Sequence, residues 1–437
     1  MKSHDMDIRS ALQTLLTHLE SGVIPFWLQR AWDTEYGGFL TNFDSKGKKT
    51  GQSEKYLNSQ CRLLWWFSRL AHRYPDRTEF HQLAEKGCSF LIAAFWDQQH
   101  EGWYWKVERD GDCLDPGKVV YGMSFAIYAL SEYYLATHDK RGLKYATRTF
   151  DLLQIYCTDT LYGGYYESLE RNWSVSKPGF AGGDRKSLDT HMHLMESFTA
   201  LYAVSQQALH RRKLLDLIEL IINRMIDPVS GSGRNQVDLA FKPIPAIAIK
   251  RTWNAERQGN ATTVPVDTTS FGHNVELAWL MSHALETIHI DTSPFKHTLY
   301  RLVDHTIQYG IDTTYGGIYR DGTASGTVLV DEKEWWQQAE AMVGFLEAYI
   351  LFKEDRFWEA FSNTWHFVSS KMINHEVGEW YALLSREGQP LVSTLGNEWK
   401  VAYHSGRAML ECISRLSQLE QSSTTAVRQT DRNIEQA

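Results

Sequence analysis

The chain has 437 residues, of which 43% are hydrophobic, and its formal net charge at pH 7 is −8. This length and composition allow a large buried core, and the negative charge argues against a nucleic-acid binder, which usually carries a basic stripe. No run of about 18 apolar residues occurs, which argues against a membrane-spanning helix.

The cysteines and the first residues favour a cytoplasmic protein. The five cysteines are widely scattered and form no Cys-x-x-Cys pair, a pattern typical of reduced thiols and not of a disulfide framework or a zinc site. Asp5, Asp7 and Arg9 stand where a signal peptide would need an apolar stretch.

A glycine-rich turn recurs along the chain. Asp-x-x-Tyr-Gly-Gly stands at 33–38, 159–164 and 312–317, and weaker versions occur at 96–104, 227–233 and 374–381. Such glycines supply the positive φ angles that a helix C-terminus and the following turn require. The sequence therefore predicts six copies of one connection.

Between these turns the apolar residues recur with the helical period. The segments before the turns carry charge on one face and are predicted to be outer helices: 8–28, 77–96, 140–158, 209–226, 293–311 and 355–373. The segments after the turns are apolar nearly all round and are predicted to be inner helices: 56–74, 118–137, 188–207, 273–288, 335–353 and 403–419.

Alternating outer and inner helices, six of each, predict an all-α fold, an (α/α)6 barrel with short hairpin loops. We expect one catalytic domain over residues 1–420 and a polar, disordered tail over 421–437. All six loops make the same outer-to-inner connection, so they lie at one end of the barrel together with the N-termini of the inner helices. A funnel ringed by helix N-termini and aromatic loops is the expected binding site.

Polar residues stand at the beginning of the predicted inner helices. Histidine occurs in three of them, and in two a glutamate follows three residues later, which places His193 beside Glu196 and His273 beside Glu276 on one helical face. The candidates are Arg62, Tyr121, Asp189, His191, His193, Glu196, His273, Glu276, Trp335, Trp336, Glu340, Trp399, His404 and Arg407.

Two kinds of site fit these residues. A metal centre is one, although di-iron bundles use the order Glu-x-x-His with additional glutamates. Metal-free acid–base chemistry by paired imidazoles is the other, because the pKa of histidine lies near working pH. Two histidines on opposite sides of one carbon could invert a stereocentre next to a carbonyl group.

Four motifs resemble the N-acylglucosamine 2-epimerase superfamily, and most closely its cellobiose 2-epimerase and D-mannose 2-epimerase branches. They are Lys-Ser-Leu-Asp-Thr-His-Met-His-Leu-Met-Glu at 186–196, Gly-His-Asn-Val-Glu at 272–276, Trp-Trp-Gln-Gln-Ala-Glu at 335–340 and Trp-Lys-Val-Ala-Tyr-His-Ser-Gly-Arg at 399–407. The resemblance implies epimerisation at C2 of a reducing glucose- or mannose-type sugar, without a cofactor or a metal.

The resemblance also implies roles for individual residues. His273 and His404 match the catalytic pair, His193 matches a third essential histidine, and Arg62 matches the cation that stabilises the oxyanion. Glu276 and Glu340 match carboxylates that orient these groups. Tyr121, Trp336 and Trp399 match residues that line the site and hold the sugar.

Two features depart from the cellobiose branch. Asp189 replaces an asparagine near the reducing-end hydroxyls, although it could instead cap the helix, and the segment 234–271 is longer. Both features leave a disaccharide and a free monosaccharide open as substrates. A small sugar is the expected partner, and the protein is expected to be a monomer or homodimer.

Other functions remain open on the same residues. An aldose–ketose isomerase would return the proton to C1, and a glycoside hydrolase would use Glu276 and Glu340 as its carboxylates. The barrel could also bind sugar without catalysis.

Overall fold

Twelve helical units form two concentric rings in the computed structural model, which describes residues 6–251 and 265–435. The outer helices are α1 (Ile8–His18) with α2 (Ile24–Arg30), α4 (Thr78–Phe90), α6 (Lys140–Leu152), α8 (Ala208–Leu220), α10 (Lys296–His305) and α12 (Asp355–Phe367). The inner helices are α3 (Leu57–Arg73), α5 (Val120–Thr137), α7 (Leu188–Ser205), α9 (Phe271–Thr287), α11 (Trp335–Phe352) and α13 (Ala402–Glu435).

The burial of the side chains separates the two rings. Helix α5 is buried on nearly all sides, whereas α6 buries a stripe that includes Ala146, Thr149 and Phe150 and exposes the opposite face. Helix α13 packs against both α11 and α3, which closes the inner ring. The predicted (α/α)6 barrel is confirmed. Within the described residues, no helix is long and apolar enough to cross a membrane.

Every outer helix contains one π-helical turn, and in five of the six this turn is the last before the connection. The π-helical turns are Leu19–Val23, Leu91–Phe95, Leu153–Cys157, Ile221–Met225, Thr306–Gly310 and Val368–Met372. Short 3₁₀ turns occur at Gly179–Ala181 and Ser293–Phe295.

The connections interlock through small antiparallel sheets. The strand that leads into one inner helix pairs with a strand of the next connection, as β1 (Lys55–Tyr56) does with β2 (Lys106–Val107). The other strands are β3 (Cys113–Asp115), β4 (Lys118–Val119), β5 (Ser168–Leu169), β6 (Arg185–Ser187), β7 (Gln236–Asp238), β8 (Thr268–Ser270), β9 (Asp321–Thr323), β10 (Val328–Val330), β11 (Lys333–Glu334), β12 (Leu383–Leu384) and β13 (Pro390–Val392). A bridge between Phe43 and Gly396 joins the last connection to the first.

Buried ion pairs fix the connections to the barrel. The aspartate that opens a turn accepts two backbone N–H groups of that turn, and a lysine two residues before the next inner helix binds the same carboxylate. Such pairs are Lys55–Asp33, Lys118–Asp97, Lys186–Asp159 and Lys333–Asp312. In the sixth repeat Lys400 binds Glu379, and in the fourth Thr269 takes the place of the lysine.

The C-terminal helix is longer than the predicted one. The predicted inner helix ends at residue 419, whereas α13 continues to Glu435. No glycine or proline lies between Gln421 and Glu435 to end the helix, and glutamine, arginine and glutamate have good helix propensity. The separation of 421–437 as a disordered tail stays a prediction.

Removing one buried lysine should destabilise the barrel strongly. In Lys186→Met the Asp159 carboxylate loses its buried cationic partner, and we expect a loss of about 3–5 kcal/mol in the free energy of unfolding. Chemical denaturation followed by circular dichroism measures this free energy.

The double variant Lys186→Met with Asp159→Asn should recover part of the loss in stability, because no unpaired charge remains. Lys213→Met, at a surface pair with Asp216, is the control and should change stability by less than about 0.5 kcal/mol. Equal losses of stability in all three variants would contradict the view that the unpaired Asp159 charge causes the loss.

Candidate active site

A cavity opens at the end of the barrel where the connections lie. Ten of the fourteen candidate residues line it. The other four are His191, Glu196, Glu340 and Arg407, and Glu340 lies behind His404. The lining residues are Arg62, Tyr121, Asp189, His193, His273, Glu276, Trp335, Trp336, Trp399 and His404.

The lining residues occupy recurring places in the inner helices. Side chains near the start of each helix face the cavity, and the sixth residue of each helix lies one turn deeper on the same side. The sixth residues are Arg62, Phe125, His193, Glu276, Glu340 and Arg407. This alignment places the candidate Arg407 at the same level as Arg62, His193, Glu276 and Glu340.

The fourth residue of several inner helices faces the connections instead. His191 is one of these residues, and its Nε2 accepts the backbone N–H of Tyr165 at 3.0 Å. The adjacent Gly164 has φ of +74°, and a Cβ atom there would lie 2.8 Å from His191 Nε2. Gln338 binds Ile318 in the same way, next to Gly317. His191 therefore holds a glycine turn in place and does not reach the cavity.

His193 is held between two carboxylates. Its Nδ1 lies 2.8 Å from Glu196 Oε2, as the spacing predicted, and its Nε2 lies 3.3 Å from Asp189 Oδ1. Carboxylates only accept hydrogen bonds, so both ring nitrogens carry protons. Burial opposes the charged form, but the hydrogen bonds to Asp189 and Glu196 raise the pKa of His193 to about 9. His193 is thus a cation at neutral pH.

His273 and His404 are neutral imidazoles. Burial lowers the pKa of both residues, and the positive charges of Arg62 and Arg407 lower that of His404 further. His404 Nδ1 donates to Glu340 Oε1 at 2.7 Å, which leaves Nε2 without a proton. His273 Nε2 lies 3.5 Å from the Asp189 oxygen that also faces His193.

One local prediction fails, and one alternative is excluded. Glu276 does not bind His273 in the described structure, because its Oε1 accepts a hydrogen bond from Arg407 at 2.7 Å instead. Asp189 is not the helix cap, because Ser187 caps α7 by accepting the N–H of Thr190. Asp189 lies in the first turn, where its carboxylate reaches the two histidines.

Arg407 links the carboxyl groups beneath the cavity to one another. Its guanidinium contacts Glu196, Glu276, Glu340 and the Tyr403 hydroxyl, and the side chain is 1% exposed. Glu276, Glu340 and His404 offer donor atoms within 4.8 Å of one another, a set that could hold a metal ion. The Arg407 guanidinium already supplies the positive charge there, so these donors fit a metal poorly.

Arg62 has no carboxylate partner within the described part of the chain. Its guanidinium donates to the Tyr121 hydroxyl at 2.7 Å and to the Trp399 carbonyl at 2.9 Å. It also lies over the rings of Phe125 and Tyr403. A buried cation paired only with neutral groups is suited to binding an oxyanion of a ligand.

Aromatic rings form the walls of the cavity. Trp336 lies against both His273 and His404, with ring centroids 4.5 and 5.9 Å apart. Trp399 packs against Trp105 at 5.8 Å and Tyr121 at 6.2 Å. Flat apolar faces beside charged groups suit the C–H faces of a sugar ring.

Comparison with known proteins gives consistent matches over nearly the whole chain. A family model described as N-acylglucosamine 2-epimerase matches residues 37–408. A cellobiose 2-epimerase of Dictyoglomus turgidum is 29% identical over 426 residues, which cover 94% of this chain and 100% of the relative. The solved structure of a cellobiose 2-epimerase from Spirochaeta thermophila has a TM-score of 0.83 at 28% identity and covers 96% of this chain and 100% of that one. A D-mannose isomerase of Marinomonas mediterranea is 22% identical over 418 residues, which cover 92% of this chain and 97% of the relative.

The histidines should titrate differently. Histidine-selective NMR should show His193 as an imidazolium at pH 7 that loses its proton near pH 9, with His273 and His404 neutral at pH 7. Glu196→Gln should lower the pKa of His193, because it removes one of the two carboxylates. The His193→Gln spectrum assigns the signal. A His193 signal that titrates below pH 7 would contradict the assignment.

Proposed function

Because the chain belongs to the N-acylglucosamine 2-epimerase family, we propose that it is a cofactor-independent sugar epimerase. It interconverts glucose- and mannose-type reducing sugars by inverting C2. The observation that carries this proposal is the pair of buried, neutral imidazoles, His273 and His404, which come from two different helices and line one cavity.

The two imidazoles exchange protons with C2. One takes the C2 proton from one face of the open-chain sugar, and the other returns a proton to the opposite face. Glu340 holds Nδ1 of His404 protonated, which keeps Nε2 basic toward the cavity. The carbon between these steps is planar, so the face that receives the proton decides the product.

Two cations stabilise the intermediate. Removal of the C2 proton places negative charge on O1 of an enediolate, and preorganised cations lower the energy of such a charge. Arg62 and the imidazolium of His193 both line the cavity and supply them. Trp336, Trp399 and Tyr121 hold the sugar, and Asp189 fixes His193 and His273 relative to each other.

An aldose–ketose isomerase is the second candidate. The similarity to a protein named D-mannose isomerase favours it, because donation of the proton to C1 instead of C2 would give a ketose on the same residues. The hydrolase alternative has less support. Glu276 and Glu340 share one guanidinium, whereas hydrolytic carboxylates flank the scissile bond about 5–9.5 Å apart.

The substrate that we propose is a monosaccharide. The long segment after β7 is anchored across the connections, where Arg251 binds Asp115 bidentately at 2.9 and 3.0 Å. The backbone N–H of Trp105 donates to the Asp115 carbonyl at 2.9 Å, and Trp105 packs on Trp399. Arg251 thus binds next to the wall of the cavity along which we expect a second sugar to extend.

Proton NMR in D₂O tests the reaction. D-Mannose should give glucose with deuterium at C2, and cellobiose should react more slowly. His273→Asn and His404→Asn should each lower kcat by at least about 100-fold, because each removes a proton carrier. Fructose as the product would identify an isomerase, glucose from cellobiose would indicate a hydrolase, and no exchange at C2 would refute the proposal.

Loosening the long segment should change the preference for substrate size. In Arg251→Ala the ratio of kcat/KM for cellobiose to that for mannose should rise on the order of tenfold, equivalent to about 1.4 kcal/mol. Arg234→Ala is a matched control. Its pair with Asp227 has side-chain exposures of 21% and 24%, the same as those of Arg251 and Asp115, but lies within one turn. The same ratio in both variants would refute a role for the segment.

A further inference from the structure

One carboxyl oxygen of Glu276 has no hydrogen-bond partner among the residues that the structure describes. Oε1 accepts a hydrogen bond from Arg407 at 2.7 Å, whereas Oε2 is buried and unpartnered. The residue itself lines the cavity. A buried polar atom left unsatisfied carries a cost in free energy, and in native proteins such atoms are often reserved for a ligand.

The charges around the cavity balance only when Glu276 is neutral. The lining and the layer beneath it hold three cations and three other carboxyl groups: Arg62, His193 and Arg407 against Asp189, Glu196 and Glu340. A fourth negative charge would be in excess in a buried site. Burial and the neighbouring Glu340 raise the pKa of Glu276 to about 8, so at neutral pH it carries a proton.

Resting on the proposed function, we infer that Glu276 is the acid that opens the sugar ring by donating its Oε2 proton to the ring oxygen O5. The other candidates among the described lining residues suit this role less. Both protons of His193 are directed at carboxylates, Nε2 of His404 carries no proton because Nδ1 donates to Glu340, and Nε2 of His273 faces the Asp189 carboxylate at 3.5 Å. Burial raises the pKa of Tyr121 well above its usual range, which makes it a poor acid.

Ring opening by Glu276 also prepares the epimerisation. One imidazole takes the O1 proton as the C1–O5 bond breaks and the C1=O1 double bond forms, while O5 receives the proton of Glu276. That imidazole is now an imidazolium, and Glu276 is a carboxylate that Arg407 stabilises. The second imidazole then removes the C2 proton, and the imidazolium returns its own proton to the other face.

Ring closure restores the starting protonation states. O5 attacks C1 and gives its proton to Glu276, and O1 takes the proton that the second imidazole removed from C2. The site returns to two neutral imidazoles and a protonated Glu276 after every turnover in either direction. The two histidines therefore need no exchange of protons with solvent between turnovers.

The inference is tested by comparing two substrates: one sugar that forms a ring and one that cannot. In Glu276→Gln the shape is kept but the transferable proton is lost, so kcat for deuterium exchange at C2 of D-mannose should fall by about 10²–10⁴-fold. Exchange at C2 of D-glyceraldehyde, which has no pyranose to open, should change less than about threefold. The control is Glu347→Gln on α11, because Glu347 is a partly buried carboxylate paired with an arginine, Arg415, but lies outside the site.

A second measurement follows ring opening directly. Saturation-transfer NMR should show that the wild-type protein accelerates interconversion of the mannose anomers and that Glu276→Gln does not. If glyceraldehyde reacts too slowly to be followed, this measurement alone decides whether Glu276 opens the ring. Equal losses on both substrates, or unchanged anomer interconversion in Glu276→Gln, would overturn the inference while the epimerase proposal stands. A wild-type protein without C2 exchange on any hexose would instead overturn the proposed function.

Discussion

The burial of one guanidinium beneath the cavity organises the site. Arg407 is surrounded by three carboxyl groups, and two of these bind histidines that line the cavity. Because a buried charge must be paired, the position of Arg407 fixes the carboxylates, and the carboxylates fix the protonation states of His193 and His404. Residues from four inner helices thus form one electrostatic unit.

The barrel supplies the precision that this unit needs. Each inner helix contributes its first two turns to the cavity, and the entry of each helix is fixed by a buried lysine bound to the carboxylate of the preceding turn, except in the fourth repeat. Because strands of neighbouring connections pair with each other, the position of one inner helix constrains the position of the next. Two histidines on different helices, His273 and His404, can therefore be held in fixed positions around one cavity.

The sequence identified much of this arrangement. Helical periodicity and the repeated glycine turns predicted both rings, and the candidates from the beginning of the inner helices included all ten residues that line the cavity. The pairing of Glu276 could not be predicted, because spacing along one helix reveals its neighbour His273 but not a partner on α13. The role of His191 was equally hidden, since only the fold shows which face of α7 meets the glycine turn.

The absence of a lysine from the fourth repeat has a consequence for how this barrel diversifies. Thr269 cannot bind the aspartate of its turn, so the fourth connection is held by fewer buried charges than the others. Lengthening a connection adds little closure entropy, because that entropy grows only with the logarithm of the length. New chain can therefore be added to this connection at little cost in free energy while the inner helices keep their places.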